Sequence, residues 1–121
     1  MTYNPLSEVT DEALGIDSMV INALHEFRRA DKLAYLPCVD VQAERDRLSE
    51  LLNTLADELV NGISKNPSKL WVLSKFQHQL EKVWQEDTEA REHFGTELET
   101  LMDILSIDSS DGLLSFYLGG L

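Results

Sequence analysis

Apolar residues recur every three or four positions along almost the whole chain, and the every-second-residue alternation of a half-buried strand is nearly absent. This spacing predicts a first helix that begins after Asp17 or Ser18 and buries Val20, Ala23, Leu24 and Phe27, with a short helical turn ahead of it around Glu8–Leu14. The segment Leu36-Pro37-Cys38-Val39 interrupts the pattern, because proline removes a backbone donor and restricts the residue before it. Asp40 is then the expected N-cap of a second helix, Val41 to about Ile63. Its stripe is Leu48, Leu52, Leu55, Leu59 and Ile63, widened by Leu51 and Val60. Gly62 and the polar residues after it end that helix.

Asn66-Pro67 predicts the start of a third helix, with Asn66 as cap and proline at the first helical position. Its inward face reads Leu70, Leu73, Phe76, Leu80 and Val83, with Trp84 at the margin. Trp71 falls about 100° off the Leu70/Leu73 stripe and is expected to be half exposed. Asp87 caps a fourth helix with Glu89 near its positive end and Ala90, Phe94, Leu98, Leu101 and Leu105 inside. Ser109-Ser110-Asp111-Gly112 is a turn or a new helix start. The apolar tail after it (Leu113, Leu114, Phe116, Tyr117, Leu118) must pack on the bundle, since it would otherwise leave a large apolar patch in water. The expectation is an all-α fold, a compact bundle of about five helices forming one helical domain over residues 1–121.

Charge changes this picture more than composition does. Acids number 22 against 10 bases, a net charge of −12. From residue 86 onward there are nine acids (Glu86, Asp87, Glu89, Glu92, Glu97, Glu99, Asp103, Asp108, Asp111) and a single base, Arg91. Such a field repels phosphate and draws cations, so it argues against nucleic-acid binding and for a cationic partner. Cys38 is the sole cysteine, which excludes an intramolecular disulfide. The opening residues lack the basic and apolar regions of a signal peptide, and no apolar run approaches the ~20 residues of a membrane span. A cytoplasmic protein is expected.

Catalytic chemistry is thinly represented, and no enzyme activity and no cofactor are expected. There is no Gly-x-Ser-x-Gly elbow and no glycine-rich phosphate loop. Cys38 sits beside Pro37 among apolar neighbours, where a thiol is usually inert. Glu89, His93 and Glu97 lie four apart on one helical side, but a di-iron site needs Glu-x-x-His on two helices, and no glutamate precedes His93 by three. Surface pairing is the better reading of that trio, and no metal site is expected. Asp108-Ser109-Ser110-Asp111-Gly112 begins like a calcium loop but has glycine in the fifth place and Gly119 in the twelfth, where glutamate belongs. A capping turn explains it better.

On the fourth helix the acidity becomes a face. Taking about 100° per residue, Glu92, Glu99 and Asp103 point almost opposite the Phe94/Leu98/Leu101/Leu105 stripe, and Glu89 joins their edge. No lysine relieves them at the four-residue offset, where like charges are mildly destabilising. Glu86, Asp87, Asp108 and Asp111 flank the ridge with the same sign. These eight residues are the candidate partner-binding set.

Asp87-Thr88-Glu89-x-Arg91-Glu92, followed by Met102-Asp103-Ile104-x-x-Ile107-x-Ser109-Ser110-Asp111-Gly112-x-Leu114, resembles the C-terminal signature of a small uncharacterised family of short, acidic, helical bacterial proteins. The resemblance covers about the last third of the chain. Proteins of this type are similar to the immunity proteins of toxin–immunity pairs, including those of contact-dependent growth inhibition. It implies a protein that binds and occludes a cognate toxin domain, a basic nuclease in this reading, through the acidic helical face. The alternative from another class is a small helical ligand- or metal-binding protein, resting on the aromatic supply and on Glu89, His93 and Glu97.

Overall fold

Among the described residues, which in this computed structural model are 3–32 and 42–119, there are five α-helices and no strand. The helices are α1 (Ser18–Arg29), α2 (Gln42–Gly62), α3 (Lys69–Val83), α4 (Thr88–Ile104) and α5 (Leu113–Leu118), and a short 3₁₀ helix (Pro5–Glu8) comes first. The expected break at Pro37, the Asp40 cap, the Val41 start and Cys38 lie outside the described residues. Among the described residues no helix is long and apolar enough to cross a membrane.

Caps fall largely where unsatisfied backbone donors demand them. Asp17 accepts from the Val20 amide at the start of α1, and Asp87 accepts from the Ala90 amide at the start of α4. The third helix departs from expectation. Ser68 is its cap, its hydroxyl accepting from the Trp71 amide at 3.1 Å. Asn66 serves the preceding helix instead, donating its side-chain amide to the Gly62 carbonyl at 3.0 Å. The reason is a backbone pairing: Leu14 N–H donates to the Pro67 carbonyl and Lys69 N–H to the Glu12 carbonyl, which holds Ser68 extended and delays the helix.

That pairing also displaces the expected helical turn around Glu8–Leu14. The turn forms earlier, at Pro5–Glu8, and residues 9–17 run without helix across the head of α3. Asp11 accepts from the Leu70 amide at 2.9 Å, so this arm supplies α3 with a second capping carboxylate.

The helices pack in a closed order: α1 against α2, α2 against α3, α3 against α5, α5 against α4, and α4 back against α1. One apolar cluster fills the ring, with Leu24, Leu52, Leu59, Phe76, Phe94 and Leu98 wholly inside. The α2 and α4 stripes are buried as the spacing predicts. On α3 the inward row is Val72, Leu73, Phe76, Gln79, Leu80 and Val83, and Leu70 turns outward. Val20 and Ala23 are only partly covered, because Leu24 and Phe27 form the buried edge of α1.

Candidate functional site

The ridge on α4 is built by the same period that builds the core. Burying Ala90, Phe94, Leu98, Leu101 and Met102 leaves the opposite side of the cylinder to water. Glu89, Glu92, Glu99 and Asp103 are all exposed there. From Glu89 to Asp103 the rise of about 1.5 Å per residue makes the ridge roughly 21 Å long. No ion pair among the described residues involves these four side chains or that of Asp108, which is exposed beyond the end of α4. Thr96 and Thr100 fill the gaps and point their hydroxyls back into the helix, donating to the Glu92 and Thr96 carbonyls.

The other three candidates have work inside the fold. Glu86 pairs with the Arg47 guanidinium at 2.6 Å and ties the α3–α4 connection to α2. Asp87 is occupied as the α4 cap. Asp111 accepts from the Lys69 ammonium at 2.9 Å and from the Thr10 amide at 3.0 Å. Its carboxyl is held below the usual carboxylate range, first by the Lys69 hydrogen bond and then by Thr10. Lys69 is buried, so Asp111 is the anion that balances an interior cation. The free carboxylate surface is therefore Glu89, Glu92, Glu99, Asp103 and Asp108.

The turn after α4 is fully accounted for by backbone needs. Ser109 and Ser110 accept from the Asp111 and Leu114 amides, while Asp111 and Gly112 take left-handed conformations (φ 53° and 91°) that reverse the chain into α5. Nothing in it converges for calcium.

Glu89 stands apart from His93 and Glu97. Glu89 faces water, whereas Glu97 is half-buried near Lys32. Burial pushes the Glu97 carboxyl up, opposed by the charges of Lys32 and His93. Lys32 itself is buried over the Phe27 ring and donates to the Arg28 and Ala30 carbonyls, closing the C-terminal end of α1. Burial lowers its affinity for the proton, and Glu97 partly restores it. Among the described residues no group of three His, Cys, Asp or Glu side chains is placed to hold a metal ion.

A second surface lies where the N-terminal arm, α3 and α5 meet. A groove of about 820 Å³ opens there between Tyr3 and Asn4, the α3 face Gln77, Glu81 and Trp84, and Phe116 and Tyr117 of α5. Tyr3, Trp84 and Phe116 remain 53%, 46% and 40% exposed, which is unusual for rings this large in one place. Trp84 meets Phe116 at 5.3 Å and the buried Tyr117 at 5.0 Å edge-on, and Tyr3 lies tilted against Phe116 at 5.5 Å. Gln77 fixes the floor, donating to the Tyr117 oxygen at 3.1 Å and to the Asn4 side-chain Oδ1 at 2.8 Å. Burial raises the Tyr117 phenol, Gln77 lowers it and the Glu81 charge raises it again.

The sequence offers Trp84, Phe116 and Tyr117 among the rings that could line a ligand pocket, but spacing favours core packing for them and gives no sign that Tyr3 joins them. The signal available was angular. Trp84 lies about 80° from the centre of the buried α3 row, on the side shared with Gln77 and Glu81.

The model of a family described as Domain of unknown function (DUF4844) matches residues 15–121. No curated protein and no solved structure matches the chain.

Proposed function

The chain belongs to the DUF4844 family, and we propose that it is a binding protein that captures a basic protein partner on the acidic face of α4. One observation carries this reading: Glu89, Glu92, Glu99 and Asp103 form an exposed row with no ion-pairing partner among the described residues. A fold that leaves such a row unpaired accepts like-charge repulsion that a few lysines would remove. A cationic surface docked on the ridge supplies those counter-charges, and the chain's net charge of −12 speeds its approach.

The partner class that fits is a nuclease toxin domain, whose substrate groove must be basic to hold phosphates. Seating the α4 ridge in that groove blocks the substrate by charge and by bulk, as an immunity protein does. No group of this chain has to react. The ridge carboxylates steer and hold, while Glu86 and Asp111 stay engaged with Arg47 and Lys69.

The double substitution Glu92→Lys/Glu99→Lys tests the reading against a basic nuclease domain. Association should slow about tenfold or more at low salt, the deficit should shrink as salt rises, and inhibition of cleavage should weaken in step. An association rate and a salt slope both equal to those of the unaltered protein overturn it.

A further inference from the structure

We propose that the groove between Tyr3, Trp84 and Phe116 is an arginine-binding site, taking a guanidinium side chain that projects from the same cationic partner. This deepens the reading of a basic protein partner and rests on it. Interfaces concentrate their affinity in a few aromatic and arginine contacts, with charged rims steering and orienting. The α4 ridge is a rim of that kind, and Glu86, just ahead of α4 in the chain, lines the groove.

The chemistry of the lining selects the occupant. The exposed parts of Trp84, Tyr3 and Phe116 offer flat π-surface to the groove. Glu81 is exposed and stands one helical turn before Trp84, where side chains three or four apart are neighbours. It forms no ion pair among the described residues. A ring face beside a free carboxylate suits a planar guanidinium, which stacks on the ring and turns its N–H edge to the carboxylate. A lysine ammonium is a compact, strongly hydrated charge with no planar face to stack, so it gains less from the same ring and carboxylate. The arm closes the pocket's rim: Asn4 is held by Gln77 and places Tyr3 over Phe116. Lys82 also lines the groove, so an occupant must approach from the Glu81 side. A second copy of this chain is a poor occupant, since each carries a charge of −12.

Titration of the ¹⁵N-labelled full chain with a blocked hexapeptide alternating arginine and glycine, and with its lysine counterpart, provides the test. The arginine peptide should shift the Trp84 indole N–H signal and bind there about threefold to tenfold more tightly than the lysine peptide. Both peptides should move the α4 ridge amides alike. Glu81→Gln, which leaves the packing intact, should erase most of the arginine preference at Trp84, and so should Trp84→Ala if its melting curve remains cooperative. Equal affinities for the two peptides at Trp84, or no Trp84 response, overturn the arginine site. A Trp84 shift that grows with protein concentration in the absence of peptide overturns it in favour of self-association. Ridge amides that respond while Trp84 does not sink this inference alone, whereas silence at both surfaces sinks the basic-partner reading with it.

Discussion

Asp111 has the same formula as Asp103 and lies eight residues further on, yet the two do opposite things. Asp103 stands in water with no ion partner among the described residues, whereas Asp111 joins three separate segments by accepting from Lys69 of α3 and Thr10 of the arm while opening the turn into α5. Its carboxyl is depressed in the folded state, so its contribution is fully present above the unfolded aspartate value of about 3.9 and fades as pH falls through the lower folded value. Asp111→Asn strips the charge that balances buried Lys69 and should cost about 1–2 kcal/mol at neutral pH, discounted for the part of Asp111 that is exposed. Urea unfolding at several pH values checks this. The gap between Asp111→Asn and the unaltered protein should narrow as pH falls below the unfolded aspartate value of about 3.9, and a gap independent of pH would mean the contact is not ionic. No spacing rule separates Asp111 from its acidic neighbours in the sequence, because its role is set by residues 42 and 101 positions away. The same limit hid the groove, where Tyr3 meets Phe116 only through the fold.

Elements were legible where their signals are local. The inward rows of α2 and α4 follow from the 3.6-residue period, and the caps at Asp17 and Asp87 follow from donors within the same turn. The start of α3 was not legible, since the cap moved to Ser68 when a distant strand-like arm paired with Pro67 and Lys69. Gly62 shows the same contrast. A glycine followed by polar residues reads as a helix stop, and α2 does end there, but space decides the residue. A Cβ on Gly62 would come 2.6 Å and 2.8 Å from the Trp71 ring, well inside contact distance. Trp71 crosses the end of α2 at that point, with the Lys75 ammonium 5.4 Å from its ring. Alanine has the better helix propensity by about 1 kcal/mol, which would stabilise a free helix. Here overpacking against the Trp71 ring should win, and Gly62→Ala should lower stability by a net 1–2 kcal/mol or so in urea melts. A gain in stability would show that Trp71 moves aside freely.

At the scale of the whole molecule, the acidity divides into charge the fold uses and charge it tolerates. Glu86, Asp87 and Asp111 are engaged by Arg47, the head of α4 and Lys69, so they sit outside the repulsive account. Glu89 and Glu92 are three apart, Glu99 and Asp103 four apart, and each like-charged pair at such spacing costs about 0.2–0.5 kcal/mol. Glu92→Gln/Glu99→Gln removes one charge from each pair without altering shape. The double variant should therefore be more stable than the unaltered protein by roughly 0.5–1 kcal/mol at low ionic strength. Sodium chloride near 0.5 M shortens the screening length to a few ångströms and should cancel that advantage. Melting curves at the two salt concentrations read both effects. The same double variant should capture a basic partner more weakly, so stability and binding move in opposite directions on one pair of substitutions. A ridge kept only for solubility has no reason to give that opposition, and a variant that neither gains stability at low salt nor loses binding would show that the ridge charges are already compensated.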